Sequence, residues 1–206
     1  AGIGVVDGAE NRNWIGYYEA MMRFPRFESG VVVSAGEAGQ VIRASGAITG
    51  RYEFVILGSQ SILGALPNPP PRFTVSAEAD IYPLDAPEQA DEIDGAIGEG
   101  SDFHSVHGFY AQGVGPETAM LPDGWLDRVH RVQNANPDLR VGLCLSVVDL
   151  FISKAWAGRD KDRDFCIGLL QHGYVKLEDA LAMVPRMPLD VAQRQTLARR
   201  IKRWAG

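Results

Sequence analysis

Nine residues, Thr74-Val-Ser-Ala-Glu-Ala-Asp-Ile-Tyr82, alternate polar and apolar without a break. A period of two belongs to a strand with one covered face, so Thr74, Ser76, Glu78, Asp80 and Tyr82 fall on one side. Val75, Ala77, Ala79 and Ile81 fall on the other. The pattern therefore predicts a half-buried strand with two carboxylates, Glu78 and Asp80, on one face, roughly 6 to 7 Å apart at two strand rises. One or two divalent ions bridge that span, and without one the two like charges repel and raise one pKa. A solvated strand face carrying unrelated acids would show the same alternation, so the acids alone do not define a site.

The neighbouring segment adds to them. Glu53-Phe-Val-Ile-Leu-Gly58 is short and almost wholly apolar, as a central strand covered on both faces is. It ends at a glycine. Ser59-Gln-Ser-Ile-Leu-Gly-Ala-Leu66 reads as a short helix capped by Ser59 and stopped by Pro67, so the turn presents free backbone N–H groups and a hydroxyl. Such a helix start binds anions, which makes Gly58 and Ser59 candidate phosphate ligands.

Around this centre the chain predicts alternating elements. Ser34-Ala-Gly-Glu37 is a capping box, and Val41, Ile42, Ala44 and Ile48 follow before Gly50, giving a helix over 35–49. Pro67-Asn-Pro-Pro-Pro71 is a stiff, extended connection. Pro87 to Ile97 places Ala90, Ile93, Ala96 and Ile97 on one stripe, a helix ending at Gly98 or Gly100. Residues 101–125 read as a short strand and a long loop. His104 and His107 within it have no Cys or third His at ligand spacing, so no zinc site is expected. Leu126–Val132 and Leu139–Leu145 read as two further strands around a turn at Asn134–Asp138.

A second constellation follows. Ser146-Val-Val-Asp149 is another capping box, opening a helix that stops at Gly158. Val147, Val148, Leu150, Phe151, Ile152 and Ala155 fill one arc, with Asp149, Ser153 and Trp156 opposite. Lys154 falls inside the apolar arc. An unpaired buried ammonium is costly, so Lys154 either snorkels out or keeps an anionic partner, for which phosphate oxygens or the Glu78/Asp80 pair would serve. Arg159-Asp-Lys-Asp-Arg-Asp164 then packs six charges ahead of an amphipathic helix carrying Phe165, Cys166, Leu169 and Leu170.

At 206 residues the chain is long enough for one full core, read as an extension (1–33), an α/β core (34–145) and a helical region (146–206). A hydrophobic content of 46% with 22% charged residues is that of a globular domain. No run of about 18 apolar residues exists, so neither a membrane span nor a membrane partner is expected. Nothing reads as a secretory signal. Cys144 and Cys166 lie in apolar surroundings and are expected as free thiols, in the reducing cytoplasm. A net charge of −6 argues against a broad nucleic-acid surface but leaves room for a local basic patch. Arg194, Arg199, Arg200, Lys202 and Arg203 form one on a helix from about 189, either as cations at a helix end or as a phosphate-tracking patch for RNA.

The segments VILGSQSIL, AEADIY and DLFISKAWAGRDKDRDF, in this order and spacing, resemble the nucleotidyltransferase superfamily of DNA polymerase β type. The nearest likeness, over about residues 34 to 185, is to bacterial nucleotidyltransferase-like proteins related to AbiEii toxins of toxin–antitoxin systems. The resemblance implies a small mixed sheet flanked by helices, α/β or α+β, with a helical C-terminal part completing the site. It places the nucleotide-binding turn on Gly58 and Ser59, the Mg²⁺ carboxylates on Glu78 and Asp80, the nucleotide-contacting lysine on Lys154 and a later acid on Asp164. It further implies an NTP substrate, an RNA acceptor (tRNA included) or a protein acceptor, and a cognate antitoxin as partner. Two departures stand out: Glu78 sits where Asp is commoner, and Arg128-Val-His-Arg-Val132 offers no third carboxylate. They leave a catalytically inert module that binds a partner protein as the alternative.

Overall fold

A computed structural model describes residues 35–66, 68–133 and 140–206. The expected extension over 1–33, Ser34, Pro67 and the turn at Asn134–Asp138 lie outside the described residues. Five strands, β1 (Glu53–Ile56), β2 (Glu78–Pro83), β3 (Tyr110–Gly113), β4 (His130–Gln133) and β5 (Val141–Cys144), form one mixed sheet in the order β3-β2-β1-β5-β4. The fold is α/β with helices flanking this sheet, as the sequence predicts.

The apolar run takes the centre. Phe54, Val55, Ile56 and the following Leu57 are each no more than 2% exposed, which a strand reaches only with neighbours on both edges and layers on both faces. β1 runs antiparallel to β2, with Ile56 opposite Ile81, and parallel to β5, with Ile56 opposite Cys144. β2 lies parallel to β3, Glu78 opposite Tyr110. β4 closes the other edge antiparallel to β5.

Helix α1 (Ala35–Thr49) matches the expected span and ends where Gly50 takes a positive φ of 69°. The Pro87 segment enters through a tight 3₁₀ turn and becomes α2 (Ala90–Ile97). The C-terminal part is helical: α4 (Val147–Ala157), α5 (Asp160–Gln171), α6 (Leu177–Met183) and α7 (Val191–Trp204), with α3 (Asp102–His107) lying earlier, before β3. One cluster of buried apolar residues runs from Ala38 to Ile201 and joins these helices to the sheet. Among the described residues no helix is long and apolar enough to cross a membrane. Cys144 and Cys166 are both buried and unpaired.

Several elements differ from the sequence reading. The alternating strand begins at Glu78, not Thr74: Thr74 is 1% exposed and Val75 65%, the reverse of the pattern. Phe73 sits in a 3₁₀ turn and packs edge-on against Phe165, 5.2 Å between ring centroids. That anchor takes the residues that follow it, up to Glu78, out of the sheet. Residues 59–64 form a 3₁₀ helix rather than an α-helix, and its cap is Gly58 with no side-chain bond. The segment is wedged: Leu145 N donates to Ser61 Oγ at 2.5 Å, and Gln60 Nε2 donates to Ser76 O at 2.5 Å. Residues Gln60–Gly64 are all buried.

The expected loop after Gly100 contains α3, capped by Ser101 Oγ, which accepts from His104 N at 3.1 Å, and stopped by Gly108 with φ 77°. Residues Trp125–Arg128 form a 3₁₀ turn, so β4 starts only at His130. Asp149, expected on the open side of its helix, is 0% exposed. Arg128 covers it with Nη2 at 2.8 Å and Nε at 3.0 Å, and Ser146 Oγ donates to it at 2.6 Å. A fully buried carboxylate survives only with such partners.

Candidate active site

The site begins where β1 stops. Leu57 N donates the last bond of the β1–β2 ladder, 2.9 Å to Asp80 O. The chain then turns at Gly58 with φ 61° and ψ −161°, a conformation essentially reserved for glycine. A Cβ at position 58 would also collide with the Asp80 carboxylate. The turn thus needs glycine twice, once for its backbone and once for the acid packed on it. Ser59, next in the chain and half-buried, opens the 3₁₀ helix beside this carboxylate.

Glu78 and Asp80 share one face of β2, both half-buried, with Ala79 between them turned inward at 3% exposure. Tyr110 Oη on β3 donates to Glu78 Oε2 at 3.3 Å. Burial first, and the Glu78 charge second, push the Asp80 carboxyl above its ordinary range, against the pull of Lys154, Lys161 and Arg159. The helices α4 and α5 therefore bring three cations within electrostatic reach of the acid pair. Lys154 is 8% exposed, as its place in the apolar arc requires.

Its permanent partner is an acid that the sequence reading passed over. Lys154 Nζ lies 3.2 Å from Asp162 Oδ1 and 4.7 Å from the centre of the Phe165 ring. Arg159, the residue that opens α5, donates to the same carboxylate, Nε to Oδ2 at 2.6 Å. Burial alone would raise the Asp162 carboxyl. The hydrogen bond from Arg159 and the Lys154 charge overcome it and hold the group below its ordinary range. Asp162 is 0% exposed, and it fixes two cations whose charges bear on Asp80.

Asp164, by contrast, is exposed, takes Nε of its neighbour Arg163 at 3.2 Å, and lies outside this network. The two acids could have been told apart. Asp162, Phe165, Cys166 and Leu169 recur at three- and four-residue spacing and make one buried stripe, while Asp164 falls off it. An acid on an apolar stripe eight residues after a lysine on another is the signal.

The donor set suits one divalent cation. Mg²⁺ is ordinarily held by one or two carboxylates, with water and substrate phosphates filling its remaining positions. Glu78 and Asp80 supply two, and the strain on the ionised Asp80 is what a cation relieves. Among the described residues no group of three or more acid, His or Cys side chains gathers.

A glycine turn thus packs on one of two paired strand carboxylates, and the charges of a lysine and an arginine from two later helices bear on it. The chain belongs to the family described as nucleotidyltransferase of unknown function (DUF6036), which matches residues 39–178. Gly58, Ser59, Glu78, Asp80, Lys154, Arg159 and Asp162 all fall inside that span. No curated protein and no solved structure matches the chain.

Proposed function

We propose that the protein is a Mg²⁺-dependent nucleotidyltransferase that moves a nucleotide from an NTP to an RNA or protein acceptor, acting as the toxin of a toxin–antitoxin pair. The observation that carries the reading is the packing of Gly58 on Asp80, with Lys154 and Arg159 held opposite by Asp162. Glu78 and Asp80 would hold the metal, which when bound supplies Lewis-acid charge at the reacting phosphate. The turn at Gly58 and Ser59 holds the β- and γ-phosphates through backbone N–H groups and the serine hydroxyl. Lys154 has three donors and gives one to Asp162, so it keeps N–H groups for phosphate oxygens. Asp162 positions both cations. AbiEii-like relatives, a cytoplasmic bacterial setting and an antitoxin partner belong to the same proposal.

One observation favours the second reading, an inert module that binds a partner protein: no third acid joins Glu78 and Asp80 among the described residues. Incubation with each labelled NTP, Mg²⁺ and either total RNA or lysate separates the two. Label appearing in RNA or protein with the wild type, and not with Asp80→Ala, is the expected result. No transfer from any NTP to either fraction would leave the partner-binding module.

A further inference from the structure

Helix α7 lies outside the span that matches the family. Leu197 and Ile201 are 0% exposed and pack its inner face into the core. Thr196, Arg199, Arg200 and Arg203 recur at three- and four-residue spacing on another face, and together they line a cavity of about 250 Å³. That volume is below the roughly 300 to 1,000 Å³ of sites enclosing a whole small molecule. Its three arginines suit an anion such as a phosphate group.

The five basic residues of the C-terminal segment divide by role. Arg194 donates Nε and Nη2 to Met187 O at 3.2 and 2.9 Å and ties down the entry to its own helix. Arg200 donates Nη1 to Ala155 O at 2.7 Å and to Trp156 O at 2.9 Å, capping the end of α4. These two are helix-end cations, as the plainer sequence expectation has it. Arg200 still has its Nη2 and Nε donors, now on a guanidinium held in place. Arg199, Lys202 and Arg203 are exposed, and Arg199 Nη2 donates to Thr196 Oγ1 at 3.2 Å. Among the described residues none of these four cations has an ion-pair partner.

The cavity also has a direction. Arg200 packs on Gly158, where a Cβ would strike its guanidinium and φ is 67°. The next residue is Arg159, whose charge bears on both Asp80 and Glu78. Gly158 thus stands between Arg200, which lines the cavity, and Arg159, which feels the charge of the acid pair.

We infer that this cavity binds a phosphodiester of a single-stranded polynucleotide through Arg199, Arg200 and Arg203, and that Lys202 takes a neighbouring phosphate of the same strand. A lone phosphate would need fewer cations than the three arginines of the cavity and the exposed Lys202 in the same turns supply, in a chain of net charge −6. The binding stands by itself. Only the strand's role as the acceptor rests on the transferase reading above.

The test measures fluorescence anisotropy of a labelled single-stranded RNA dodecamer against salt, with the full chain, Arg199→Gln/Arg203→Gln, and Arg203→Glu. Arg200 is left intact because it caps α4. Each phosphate contact on a single strand contributes about 0.7 to the slope of log K against log salt, so losing two should flatten it by about 1.4. Affinity at low salt should fall about tenfold or more, in both variants, while thermal melting and Mg²⁺–NTP binding stay as in the wild type. Titration with inorganic phosphate should show far weaker binding. An unchanged slope and affinity in the variants overturns the inference. So does wild-type protein that ignores RNA, which would turn attention to an acidic protein segment, and so does inorganic phosphate binding as tightly as the strand. Asp80→Ala should bind the RNA normally, so the cavity can stand even where transfer fails.

Discussion

Lys154 and Asp162 form an ion pair at 3.2 Å in the interior, with side chains 9% and 0% exposed. Removing one partner from such a pair leaves an uncompensated buried charge, at a cost of about 3–5 kcal/mol. Asp162→Asn should lower stability by that amount in urea unfolding. Replacing both, as Lys154→Met/Asp162→Leu, should recover most of it. The double variant should nonetheless bind Mg²⁺–NTP poorly, because the recovered core no longer presents a cation to Asp80. A double variant as unstable as Asp162→Asn would count against the pair as the source of the loss.

Asp80→Ala should abolish transfer and leave the protein at least as stable as the wild type. Its carboxyl is disfavoured by burial and by Glu78, so its removal relieves strain and leaves no cavity of consequence on a half-exposed face. Product analysis on denaturing gels and a thermal melt read the two effects separately. Transfer at the wild-type rate would end the metal assignment.

The same carboxyl gives a pH signature. Its folded pKa lies above the unfolded value of 3.8, so the folded state holds the proton more tightly. Stability is therefore lost as pH rises from about 3.8 through the folded value, and the loss is complete above it. Asp162 has the opposite sign: its pKa is lowered, so its contribution is present above 3.8 and lost as pH falls below it. The stability of Asp80→Ala relative to wild type should accordingly be greatest near neutral pH and shrink to nothing below about 3.8. Mg²⁺ competes with the Asp80 proton, and its affinity should rise over the same interval. A difference between the two proteins that does not vary with pH would contradict the burial of this acid.

Gly58→Ala tests the turn. A non-glycine residue at φ 61°, ψ −161° carries strain of about 1–3 kcal/mol, and the new methyl displaces the Asp80 carboxylate. Stability should fall by at least that strain, and transfer should drop to near the level of Asp80→Ala. A variant with reduced stability but full transfer would separate the backbone demand from the packing demand.

The elements legible in the sequence were those whose cause is local. Helix α1, the cap at Ser146, the stop at Gly158 and the shared face of Glu78 and Asp80 follow from caps, glycines and periods that involve neighbours in the chain. What was illegible depends on distant partners. Thr74 and Val75 obey the period of a strand, yet Phe73 packs on Phe165 some ninety residues on and takes them elsewhere. Ser59 has the chemistry of an α-helix cap, yet the segment it opens winds as 3₁₀, held by a bond that Ser61 Oγ accepts from Leu145 N and one that Gln60 donates to Ser76 O. Asp149 looked solvated until Arg128 arrived from another element. Within the candidate site, period and capping signals point to the turn at Gly58 and Ser59, to both strand acids and to Lys154, and the structure packs Gly58 on Asp80 and buries Lys154. Those signals missed Asp162 because a run of six charges hides which one lies on the apolar stripe.

The pairing of β2 carries one more consequence, for fidelity of folding. Its side chains read Glu78, Ala79, Asp80, Ile81, and Ala79 and Ile81 are 3% and 0% exposed. A slip of one residue against β1 would exchange the two faces. Two carboxylates would enter the apolar interior, far from Lys154 and Arg159, while Ile81 faced outward. Misaligned pairing is thus penalised by the very charges that make the site, and a chain that has folded around β1 in a stable register has already aimed both acids the right way.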